Sequence, residues 1–178
     1  DSIPVANGMV GYYFQKSNRV VLYQQPGRSW EQNYATVVHE ATHQMAFNTG
    51  IHQRYFVHPQ WIIEGLATVF ETPGIWDSSQ SHSLKKRVNP VRLRDFKKFL
   101  ARKPKAGFLE ELVLHDDLFK TRPLDAYGLS WAYTFYLMER YPKKYVALLK
   151  TTSQHEALQE LSQNERLEDY TKQIGHHW

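Results

Sequence analysis

The chain has 178 residues, 42% of them hydrophobic, a net charge of +4 and no cysteine. That length predicts one domain, residues 1–178, with enough apolar side chains for a single core. The composition excludes disulfides, thiolate nucleophiles and thiolate metal ligands, and the absence of a run of about eighteen apolar residues excludes a membrane-spanning helix.

The chain opens Asp1-Ser2-Ile3-Pro4 rather than on methionine, as expected of a mature form or an excised domain. Strand signals are confined to this end. Met9–Phe14 and Arg19–Gln24 are rich in Val and Tyr, and Lys16-Ser17-Asn18 between them reads as a hairpin connection. Pro26-Gly27 then turns the chain into a helix predicted over about residues 30–48. Ser29 and Gln32 make a capping-box pattern, Val37, Val38, Ala41 and Met45 recur at helical spacing, and Asn48-Thr49-Gly50 supplies a stop.

This helix carries His39-Glu40-Ala41-Thr42-His43. Histidines four apart lie one turn from each other on one face, so both imidazoles reach a single cation. Glu40 points toward the same side and is placed to take a proton from activated water instead of binding the metal. A catalytic zinc needs a third protein ligand, and Glu64 is the best candidate. It lies in a second predicted helix opened by Pro59, and a lone carboxylate among Trp61, Ile62, Ile63, Leu66, Ala67 and Val69 is costly to bury unless paired or metal-bound. His52 and His58 read as solvated or capping histidines, and His155 likewise.

Residues 72–83 read as a polar loop. Asn89-Pro90 starts a third helix, which Lys103-Pro104 ends, with Val91, Leu93, Phe96, Phe99 and Leu100 as its apolar side. Residues 85–105 hold ten Lys/Arg against the single acid Asp95, a segment of +9 that leaves the remainder at −5. Such a segment is either a solvated basic face or a surface for an anionic partner: nucleic acid, acidic polysaccharide or anionic lipid headgroups. Further helices are predicted near residues 108–114, then, after a loop through Arg122-Pro123, over Gly128–Arg140, Lys143–Thr151 and Glu156–Ile174. Trp30, Trp61, Trp76 and Trp131 are expected to be core residues. The terminal His176-His177 is poor evidence for a metal site. The fold class is α+β, mostly helical, with a small antiparallel sheet at the N-terminal side.

His-Glu-x-x-His, followed after twenty intervening residues by Trp61-x-x-Glu64-Gly65-Leu66-Ala67, resembles the gluzincin metallopeptidases, particularly their bacterial peptidase MA-like branch. Gly11-Tyr12-Tyr13 with Arg19–Tyr23, and Tyr127-Gly-Leu-Ser-Trp-Ala132, are similar to the same branch, so the likeness runs from about residue 8 to 150. The resemblance implies a zincin-like fold, one Zn2+ held by His39, His43 and Glu64, Glu40 as general base, a peptide or protein substrate, and a secreted or cell-envelope location. It also implies that the N-terminal strand borders the cleft, where an extended substrate can pair with it. Some gluzincins place an aspartate four residues after the glutamate ligand to orient a histidine. Thr68 stands there, and Glu71 is the proposed substitute.

The activity expected on this basis is zinc-dependent peptide-bond hydrolysis, with Tyr127 as oxyanion donor and His115 and Tyr133 as lesser candidates. A rival class is a polyanion- or peptide-binding module that uses segment 85–105 and keeps a structural or vestigial zinc site. The intact Glu40 favours the enzyme, since a vestigial site needs no proton acceptor. Oligomeric state is left open.

Overall fold

The structure, a computed structural model, describes residues 10–175. Met9 and His176-His177 therefore lie outside the described residues. The hairpin pairs β1 (Gly11–Phe14) with β2 (Arg19–Leu22) antiparallel, Gly11 opposite Leu22 and Phe14 opposite Arg19. Asn18 makes the turn with φ +56, in the left-handed region that asparagine tolerates best after glycine. Ten helices follow among the described residues: α1 (Trp30–Asn48), α2 (Gln60–Phe70), α3 (Pro73–Trp76), α4 (Leu84–Arg87), α5 (Pro90–Ala101), α6 (Phe108–Leu114), α7 (Asp117–Thr121), α8 (Pro123–Arg140), α9 (Pro142–Ser153) and α10 (Gln163–Gln173). The fold is thus mostly helical α+β, and no helix among the described residues is long and apolar enough to cross a membrane.

The caps explain the long helices. Ser29 accepts from the Gln32 N–H while the Gln32 side chain accepts from Ser29 N–H, so both orphan donors at the start of α1 are satisfied. Gly50, at φ +77, lets the chain leave α1. Asn89 caps α5 by accepting from Val91 and Arg92 N–H groups at 3.1 Å each.

The core gathers Trp61, Ile62 and Leu66 of α2, Phe99 of α5, Leu112 and Val113 of α6, Leu129, Tyr133 and Leu137 of α8, Tyr145 and Leu148 of α9, and Tyr170 of α10. Helix α8 is its axle and packs on both α2 and α5 with very close backbones. A Cβ at Gly65 of α2 would lie 2.2 Å from Thr134 Oγ1, and one at Gly128 of α8 would lie 2.8 Å from Phe96 N. Only glycine permits these two approaches.

Several expectations need correction. The polar loop over residues 72–83 contains α3, because Pro73 suits a first helical turn. Helix α7 interrupts the loop before Pro123, and α8 starts at Pro123, not at Gly128. The last predicted helix begins at Gln163, not Glu156, since Ser162 caps it and the preceding segment is drawn into a parallel bridge between Val57 and Glu160. On α5, Val91 and Leu100 are exposed and Asp95 takes a buried position on the inner side. Trp61 and Trp131 are core residues, but Trp30 is 74% and Trp76 43% exposed. His52 and His58 are buried, not solvated, and His155 is paired with Asp169 at 2.6 Å.

Candidate metal centre

The face of α1 that is buried is not the Val37–Met45 stripe, whose two end residues are exposed, but the one carrying His39, Glu40, His43, Ala46 and Phe47. Against it lies α2, which delivers Glu64. His39 Nε2 and His43 Nε2 are 3.1 Å apart, and Glu64 Oε2 is 3.1 Å from the first and 3.5 Å from the second. Donors at about 2.0–2.1 Å from a tetrahedral ion are separated by edges of about 3.3–3.4 Å. The three donors therefore already form one face of such a tetrahedron, and among the described residues they are the group of three able to hold a metal ion.

Around the donors a buried polar chain fixes the rings. His39 Nδ1 lies 3.0 Å from Glu71 Oε1, so its N–H donates there and its Nε2 faces the centre. Glu71 follows Glu64 by seven residues, two helical turns, which puts both carboxylates on one face of α2. Glu71 in turn accepts from Arg92 Nη2 at 2.7 Å, Arg92 Nε at 3.1 Å and Asn89 Nδ2 at 2.8 Å. Asn89 also donates to the Thr68 carbonyl at 3.1 Å, so one side chain caps α5 and ties it to the end of α2. Thr68 turns its hydroxyl onto the Glu64 and Gly65 carbonyls and takes no part in holding a histidine.

The charges follow from this packing. Burial alone would depress His39, but hydrogen bonds and charge from Glu64 and Glu71 raise it to about 10. Burial would raise Glu64 and Glu71, but the histidines, with Arg92 beside Glu71, hold both well below the usual carboxylate range. Glu40 goes the other way: burial raises it, against the pull of His39 and His43.

Strand β1 lies along Glu40. Gly11 approaches so closely that a Cβ there would sit 3.2 Å from Glu40 Cγ, and the Tyr13 N–H nearby favours the charged form of Glu40. Tyr13 also stacks on Phe47, ring centroids 5.6 Å apart. From α8, Tyr127 places its ring 6.2 Å from that of His39, with the Arg92 guanidinium 5.1 Å over its own ring. Burial, then Glu64, pushes the Tyr127 phenol up, so it is a neutral donor throughout the physiological range. The structure thus brings His39, Glu40, His43, Glu64 and Tyr127 into one cluster. It does not bring in the two lesser donors: Tyr133 bonds Tyr170 and packs on Trp61, and His115 lies at the end of α6 beside Gln163.

Arg92 and Asn89 are the residues that sequence reading missed. Asn89 is legible as a cap, but nothing in a basic run marks which arginine turns inward.

The family model described as "Protein of unknown function (DUF1570)" matches residues 33–159. The chain belongs to the DUF1570 family. The matched stretch contains His39, Glu40, His43, Glu64, Glu71, Asn89, Arg92 and Tyr127, the whole of the DUF1570 site described above except strand β1. No curated protein and no solved structure matches the chain.

Proposed function

We propose that this DUF1570 chain is a zincin-like metallopeptidase that hydrolyses peptide bonds with one Zn2+ held by His39, His43 and Glu64. The observation that carries the reading is the donor triangle, with spacings of 3.1, 3.1 and 3.5 Å, beside a buried glutamate that is not one of its corners. Two imidazoles and one carboxylate are the donor set of a catalytic zinc with an open position. Bound there, zinc supplies a Lewis acid that activates water near neutral pH and polarises a carbonyl.

The chain's own residues do the rest. Glu40 takes a proton from the attacking water and returns it to the leaving amine, so the proton count closes within one side chain. Tyr127 donates its O–H to the oxygen on which charge develops. Glu71 keeps His39 in the tautomer that offers Nε2, and Arg92 and Asn89 keep Glu71 in place. Strand β1, beside Glu40, presents an edge on which an extended peptide can pair with little demand on side-chain identity.

Glu40→Gln tests this directly. Cleavage of a fluorogenic peptide library should fall ~10²–10⁴-fold while zinc content is unchanged. A variant that cleaves at the wild-type rate disproves the mechanism.

A further inference from the structure

Three of the ten cations in segment 85–105 are committed within the fold: Arg87 to Glu139, Arg92 to Glu71 and Arg102 to Asp125. The segment's one acid, Asp95, is buried against α8, where it tempers nothing on the outside. Arg94, Lys97, Lys98, Lys103 and Lys105 are exposed, and none forms an ion pair with a described residue. Arg94, Lys97 and Lys98 share the outer side of α5, around a shallow groove of about 470 Å³ completed by Pro90, Leu93 and Ala101. Arg92, which reaches the metal centre, is roughly 140° around the helix from Lys97 at 100° per residue. A partner on the outer side therefore lies away from the side of α5 that carries Arg92.

What lies between the cations decides the partner. The large uncharged side chains that α5 exposes are aliphatic, Val91 at 44% and Leu100 at 42%. Phe99 is buried, and the segment's one amide side chain, Asn89, is spent on the cap and on Glu71. Nucleic-acid grooves combine cations with stacking aromatics or polar side chains that grip sugar and phosphate. Neither is present on this face. Aliphatic side chains among long, snorkelling cations are instead the composition of a surface that rests at the headgroup level of a bilayer.

We propose that the outer face of α5 docks the protein on an anionic lipid surface, peripherally and without insertion of any helix. The inference is independent of the metal reading. Each cation near such a surface is worth about fivefold in partitioning.

The test is co-sedimentation of the full 178-residue chain with vesicles of phosphatidylcholine containing about one third phosphatidylglycerol, with pure phosphatidylcholine vesicles and a 30-base-pair DNA duplex as comparisons. The expected result is binding to the anionic vesicles only, weakened ~100-fold in Arg94→Gln/Lys97→Gln/Lys98→Gln and lost in 0.5 M salt. Thermal unfolding and zinc content of the triple variant should match the wild type, since none of the three residues packs in the core. Three results overturn the proposal: no binding to anionic vesicles, binding the triple variant retains, or tighter binding to the duplex, which would make the face a nucleic-acid surface.

Discussion

Glu71 and Arg92 divide one task in a way that substitution can separate. Glu71 touches His39 directly, so its loss frees the ring, whereas Arg92 acts on the ring only through Glu71. Glu71→Ala should weaken zinc affinity about 10–100-fold, read by competition with a chromophoric chelator. Arg92→Ala leaves a buried carboxylate without its cation and should cost about 3–5 kcal/mol of stability in denaturant unfolding. Unchanged zinc affinity in Glu71→Ala, or unchanged stability in Arg92→Ala, would contradict the contacts of Glu71 with His39 and Arg92. At this scale the sequence is legible where the residue's chemistry is directional. The pair His39 and His43 points at one ion by helical spacing alone, and Glu64 betrays itself as a charge in an apolar run. Arg92 does not, because among ten cations only tertiary packing selects the one that turns inward.

Helices α2 and α8 set the position of Glu64, and their closeness rests on a residue next to it. A methyl group at Gly65 would meet Thr134 Oγ1 at 2.2 Å and the Ser130 carbonyl at 3.1 Å, so the helices must part. Gly65→Ala should cost about 1–3 kcal/mol and lower Tm by roughly 3–10 °C, with Thr134→Ala in the same chain recovering part of the loss. An unchanged Tm in a calorimetric scan would contradict the packing described. Elements with strong end signals, such as α1 with its capping box and α5 with Asn89-Pro90, are readable from sequence nearly to the residue. Short helices such as α3 and α7 are not, since four or five residues carry no period, and the segment before α10 reads as helix until its bridge to Val57 is known.

At the scale of the whole molecule, the described residues hold a second buried histidine pair, which no motif in the sequence announces. His52 and His58 follow α1 in the connection that sets the spacing of His43 and Glu64, with rings 5.0 Å apart against Phe47 and Phe56. Burial, then the charge of His58, lowers His52 to about 3, and burial lowers His58 to about 4, although the Gln53 carbonyl accepts from its Nε2–H. Both values lie below the unfolded 6.5, so the folded state binds fewer protons. Their contribution is complete above pH 6.5 and is lost as pH falls from there toward 4 and 3. At pH 5 each histidine costs about 2 kcal/mol relative to pH 7. In metal-free protein, the drop in unfolding free energy between these pH values should be about 2 kcal/mol smaller for His58→Gln than for the wild type. Equal drops would show that His58 is solvated, as its place in a connecting segment suggested.

Whether His39, His43 and Glu64 hold one zinc is decided by elemental mass spectrometry of the wild type and Glu64→Ala after incubation with zinc and exhaustive dialysis. About one zinc per chain in the wild type and far less in the variant is the predicted result. A wild type that retains no zinc under these conditions would contradict the proposed zinc site, and would leave the three donors as a hydrogen-bonded cluster of the core.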